Sequence, residues 1–94
     1  MAAARTIHVL ITGRVQGVGY RAWTQQEALI RGLSGWVRNR HGGAVEALFS
    51  GDDATIDAMI EACRIGPPSA EVDAVDVTDS TAPAPLGFRV LPTG

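Results

Sequence analysis

The sequence predicts an α+β sandwich, an antiparallel sheet with two helices on one face. Runs with apolar side chains at every second position recur near residues 6–12, 44–50 and 87–91, the period of a strand covered on one side. Two stretches free of Pro and Gly, about 20–31 and 52–65, are composed as helices. The resulting order is β-α-β-β-α-β plus a short terminal strand, two similar halves that read as one domain over residues 1–94.

In chain order, Thr6 to Thr12 places Ile7, Val9 and Ile11 on one face and His8, Leu10 and Thr12 on the other. His8 reads as a strand-face residue, since no second histidine stands at metal-site spacing from it. From Tyr20 to about Arg31 the best inward candidates are Tyr20, Thr24, Ala28 and Leu29 or Ile30, and Gly32 is a natural stop. Leu33 to Arg40 and Ala44 to Ser50 form a hairpin around His41-Gly42-Gly43, with Val45, Ala47 and Phe49 inward.

After Gly51, Asp52 or Asp53 can cap a helix whose Ile56, Met59, Ile60 and Cys63 share one face. Gly66-Pro67-Pro68 ends it. In Val72 to Thr78 the alternation slips between Val72/Ala74 and Val75/Val77, which predicts a bulge or an edge. Thr81 to Pro85 is an exposed connection, and Gly87 to Leu91 brings Phe88 and Val90 inward.

Composition narrows the function. An apolar fraction of 46% and a net charge of −2 describe an ordinary globule. The single cysteine, Cys63, excludes an internal disulfide or a Cys-x-x-Cys site and reads as an inert core thiol. Met1 to Arg5 lacks a long apolar segment and no run approaches a membrane span, so no membrane partner is expected and the cytoplasm is the expected location. Charge is distributed unevenly. Residues 1–40 carry six arginines against the one acid Glu27, whereas residues 41–94 carry nine acids against Arg64 and Arg89. The basic half suits a small anion, while the overall charge argues against nucleic acid. For Arg5, Arg31 and Arg40 surface ion pairing is an equally good account.

Gly13-Arg14-Val15-Gln16-Gly17-Val18-Gly19-Tyr20-Arg21 joins the first strand to the first helix. A glycine-rich turn at such a junction turns backbone N–H groups inward beside the positive end of the helix, where they cradle an anion. Arg21 adds a fork matched to two phosphate oxygens. Gly17 to Ala22 also fits the dinucleotide pattern G-x-G-x-x-G/A, yet Arg38, Asn39 and Arg40 stand where an acidic ribose ligand is needed about 20 residues on. A Walker A loop fails because the chain has no lysine. A tight turn with no ligand is the plain alternative.

Gly13 to Arg21 resembles the signature of the acylphosphatases, and Gly35-Trp36-Val37-Arg38-Asn39 resembles their second signature. The likeness continues through Gly66-Pro67-Pro68 to the strand around Phe88. It implies a ferredoxin-like fold and hydrolysis of acyl phosphates to carboxylate and inorganic phosphate. It also implies two catalytic residues, Arg21 on the phosphate together with the N–H groups of Val15, Gln16, Gly17, Val18, Gly19 and Tyr20, and Asn39 on the attacking water. Acyl phosphates have a good leaving group, so holding the phosphoryl group and aiming water is enough. No metal or cofactor is expected, and a monomer is.

Without the resemblance, Asn39 reads as a turn-former. Arg14 and Arg38 read as solvated or steering charges, and Trp23 and Trp36 as packing aromatics. One departure stands out. Gly42-Gly43 replaces the Asp-Gly turn common in the family, which is expected to loosen Asn39 and lower the rate. Two other function classes compete. An RNA-recognition sheet needs basic and aromatic residues on its third strand, where Gly43 to Ser50 has one aromatic and a carboxylate. A non-catalytic phosphate- or carbamoyl-phosphate-binding module is the better rival, since such domains also occur within larger hydrogenase-maturation proteins.

Overall fold

Alternating side chains assemble the sheet around the first strand. A computed structural model describes residues 4–94; Met1, Ala2 and Ala3, on which the expectation of no leader partly rests, lie outside the described residues. The elements are β1 (Ala4–Arg14), α1 (Tyr20–Ile30), β2 (Ser34–Asn39), β3 (Val45–Asp52), α2 (Asp53–Ile65), β4 (Glu71–Asp79) and β5 (Phe88–Val90). The strand order is β4-β1-β3-β2-β5. Ile7, Val9 and Ile11 are fully buried and meet Phe49, Ala47 and Val45 across the β1–β3 ladder, so both strands turn one apolar face to the helices.

The expected all-antiparallel sheet is corrected at one edge. β5 pairs parallel with β2, Gly35 opposite Phe88 and Val37 opposite Val90, which makes the sheet mixed. The connection from Ser80 to Gly87 carries the chain from β4 at one edge to β5 at the other, and β5 runs opposite to β4, which sets it parallel to β2. The backbone pairing continues past the strand, with Leu91 N–H on the Val37 carbonyl at 2.9 Å and Gly94 N–H on the Asn39 carbonyl at 3.0 Å.

The slipped alternation in β4 has a direct cause. Thr12 pairs with Ala74 and Gly13 with Val72, leaving Asp73 as the extra residue of a bulge on an edge strand. β1 is also longer than expected at both ends.

α2 buries Ile56, Met59, Ile60 and Cys63 as its spacing requires. Each large apolar side chain so covered contributes about 1.5–3 kcal/mol. In α1, Tyr20, Thr24 and Ala28 are buried, but Leu29 and Ile30 are exposed, contrary to expectation. The three buried residues are four apart and define one stripe, and Leu29 and Ile30 lie about 100° and 200° round the helix from Ala28. Thr24 is satisfied internally, its hydroxyl donating to the Tyr20 carbonyl at 2.8 Å. Among the described residues no helix is long and apolar enough to cross a membrane.

Candidate active site

The loop between β1 and α1 reaches the helix through two left-handed glycines, Gly17 at φ 73° and Gly19 at φ 80°. A side chain at either would be strained although there is open space around both, so the demand is conformational rather than steric. Gly19 is the N-cap of α1 and supplies no side chain to it, and the first turn contains no acid. The first intrahelical bond runs from Trp23 N–H to the Gly19 carbonyl at 3.0 Å, so the N–H groups before it have no partner within the helix. They lie at the positive end of the helix dipole.

That cleft has a volume of about 310 Å³ and is lined by Val15, Gly17, Gly19, Tyr20, Arg21, Ala22, Gln25, Asn39 and Val90. Arg21 sits on the first turn of α1. Asn39 ends β2, opposite Val45 of β3, on the same sheet face as Val37, beneath the loop. Two distant parts of the chain thus meet.

Charge in the cleft is unbalanced. Arg5 is tied to Asp53, Asp57 and Asp79, Arg31 to Glu27, Arg38 and Arg40 to Glu46, and Arg64 to Glu61. Among the described residues Arg14, Arg21 and Arg89 have no ion-pair partner, and of these three Arg21 alone lines the cleft. The Oδ1 atom of Asn39 is buried and, among the described residues, is the one buried side-chain polar atom lacking a hydrogen-bond partner. A buried carbonyl oxygen left this way costs about 1–3 kcal/mol, so it is ready to accept a hydrogen bond from a water or a bound molecule.

Two residues expected to give backbone N–H groups to the phosphate cradle turn their side chains elsewhere. Val18 packs against the core, and the Gln16 side chain crosses to the β2–β3 turn. Tyr20 lines the cleft, while its ring tilts against Trp23 at 5.2 Å and its hydroxyl donates to the Cys63 carbonyl at 2.7 Å. Burial, with Cys63 beside it, raises the Tyr20 pKa above that of a free phenol. Burial likewise pushes the Cys63 thiol up to about 12, so it is inert at neutral pH.

Three lining residues were not anticipated. Ala22 follows Arg21 in the sequence, and Gln25 stands four residues after Arg21 on one helix face, a spacing visible in the chain. Val90, expected to face inward, is instead 41% exposed and reaches the cleft wall through the parallel β5 pairing. Gln25 Nε2 donates to the Phe88 carbonyl at 3.1 Å, fastening β5 to α1 at the cleft wall.

Arg38, expected as a solvated or steering charge, is engaged on the uncovered sheet face. Its Nε donates to Glu46 at 2.7 Å and its guanidinium carbon lies 5.3 Å from the centre of the Trp36 ring.

A family profile described as Acylphosphatase matches residues 7–90. The chain belongs to the acylphosphatase family. It is 55% identical over 89 residues to an acylphosphatase of Azorhizobium caulinodans, covering 94% of this chain and 96% of that one. Its structure resembles that of an acylphosphatase from Coxiella burnetii with a TM-score of 0.90 at 34% identity, covering 94% of this chain and 93% of that one. It also resembles part of a full-length HypF in a phosphate- and nucleotide-bound form, with a TM-score of 0.89 at 25% identity, over 99% of this chain and 12% of that one. Membership in the acylphosphatase family makes the chain a hydrolase of the ferredoxin-like α+β fold.

Proposed function

We propose that the cleft hydrolyses acyl phosphates by gripping the phosphoryl group with the backbone N–H groups of the loop from Val15 to Tyr20 and the Arg21 guanidinium, while Asn39 orients the attacking water. The observation that carries this reading is one cleft shared by an uncapped helix N-terminus, an unpaired guanidinium and a buried, unpartnered amide oxygen.

The two groups have different work. Arg21 and the loop amides meet charge that builds on the phosphoryl oxygens, an electrostatic role. Asn39 is neutral and too weak a base to remove a proton, but its Oδ1 accepts a hydrogen bond from water and so fixes where that oxygen points. The water oxygen bonds to phosphorus as the bond from phosphorus to the acyl oxygen breaks. The electron pair departs with the carboxylate, which needs little protonation, and the water proton passes to phosphate or solvent.

The test is turnover of benzoyl phosphate in EDTA, with inorganic phosphate as competitor. Hydrolysis with competitive inhibition is expected. The Asn39→Ala variant is expected to keep its phosphate inhibition constant and lose turnover; equal loss of both contradicts the division of labour. The resemblance to a segment of HypF favours a second reading, a phosphate-binding module without turnover. Phosphate binding with no hydrolysis would select it.

A further inference from the structure

The proposed mechanism uses Gln16 only through its backbone, yet its side chain makes the one side-chain bridge from the loop to the β2–β3 turn among the described residues. Nε2 donates to the Arg40 carbonyl and to the Ala44 carbonyl, both at 2.8 Å. These carbonyls stand at the two ends of His41-Gly42-Gly43. The turn has its own bonds, Arg40 N–H to Ala44 O at 2.8 Å and Gly43 N–H to Arg40 O at 3.4 Å, the second long for a turn bond. A primary amide has two N–H protons, and here each finds an acceptor. A carboxylate offers none, and an asparagine is one methylene shorter.

The turn needs such outside support. Gly42 and Gly43 have φ of 98° and 105°, and nothing lies within 4 Å of a Cβ placed at either. No packing holds them, and paired glycines have the most backbone freedom to lose. Asn39 is joined by one peptide bond to Arg40, whose carbonyl Gln16 holds.

We infer that Gln16 is a positioning residue: its amide clamps the Gly42-Gly43 turn to the phosphate loop and so sets where Asn39 points. The inference rests on the reading of Asn39 as the residue that orients water. It answers the expectation that Gly42-Gly43 loosens Asn39, because rigidity missing from the turn is supplied across the cleft by the loop. It also couples the two halves of the site, since the loop that meets the phosphate carries the clamp.

The test compares Gln16→Met, equal in length without donors, and Gln16→Glu, equal in shape without donors, in the wild-type and Asn39→Ala backgrounds. With benzoyl phosphate, each is expected to lower kcat by about 10- to 100-fold, the cost of slight misplacement of a reacting group. In Gln16→Met the phosphate inhibition constant should change by less than about threefold, and in the Asn39→Ala background the same substitution should lower the residual rate by less than about twofold. Unchanged kcat in Gln16→Met overturns the clamp while leaving the proposed mechanism standing. So does a kcat loss matched by equal loss of phosphate affinity, or one that multiplies with Asn39→Ala. Full turnover in Asn39→Ala overturns the mechanism and the clamp together. In the unmutated protein, NMR provides a check independent of variant folding. Two inequivalent, exchange-protected Gln16 side-chain amide protons with couplings across hydrogen bonds to the Arg40 and Ala44 carbonyls are expected, and a freely exchanging amide overturns the clamp.

Discussion

The two helices of this small protein begin in opposite ways. α2 starts on Asp52, whose carboxylate accepts from Thr55 N–H at 3.3 Å, has Asp53 in its first turn and carries Arg64 in its last. Its dipole is answered at both ends by its own side chains. α1 starts on a left-handed glycine with no side-chain cap, no acid in the first turn and no base in the last. With glycine at the cap position, the missing side-chain bond forgoes only about a few tenths of a kcal/mol of helix stability. The difference teaches that one half of a near-duplicated fold closes its helix start with its own side chains while the other leaves that positive end uncapped beside the cleft.

The open helix is held by other means. Tyr20 bonds across to the last turn of α2, and Gln25 bonds to β5. These contacts leave the N-terminal amides free while fixing the helix that presents them.

The largest effect is expected from removing the cation at the open end. Arg21→Ala should lower kcat/KM for benzoyl phosphate by at least about 10²–10³-fold, the scale of losing one preorganised charge-stabilising group. Arg21→Lys should recover little, because a point charge replaces a two-pronged fork. Gly19→Asp would set a carboxylate at the start of α1, where the left-handed φ of 80° keeps it from capping the helix as the extended Asp52 caps α2. Competitive phosphate inhibition should weaken by about tenfold or more as the new carboxylate takes the anion's place and repels it. Retention of full phosphate affinity in that variant would break the contrast between the helices.

The converse change is smaller. Asp52→Ala should lower stability by about 1 kcal/mol, seen as a fall in Tm of about 4–8 °C, with kcat and KM unchanged. Loss of activity there would show that the closed helix also serves the site.

The smallest effect lies on the uncovered sheet face, away from both helix starts. Burial by itself would raise the Glu46 pKa, but hydrogen bonds from His8 at 2.6 Å and Arg38 at 2.7 Å, with their charges, bring it below its usual value. A carboxylate depressed in the folded state contributes stability above its unfolded pKa and loses it as pH falls through the folded one. Urea midpoints should therefore decline in acid, and Glu46→Gln should flatten part of that decline. An unchanged acid slope in the variant would assign the decline to other groups.

Much of this was legible in the chain. The alternation of Ile7, Val9 and Ile11, the spacing of Ile56, Met59, Ile60 and Cys63, and the slip that became the Asp73 bulge are local properties of side-chain order. The open glycine start of α1 was equally visible beside the Asp52 cap of α2. Leu29 and Ile30 are apolar yet exposed, because the helix turns them about 100° and 200° away from the buried stripe.

By itself, the amino-acid order determined the elements, their buried faces and the residues at the strand-to-helix loop, because backbone geometry repeats every two or 3.6 residues and neighbours set it. Tertiary structure alone decided that β5 lies parallel to β2, that Val90 enters the cleft, that Arg38 turns to Glu46 and that Gln16 reaches the turn beside Asn39. Those outcomes depend on which distant backbone and charged groups find one another when the sheet closes. No local period encodes that pairing.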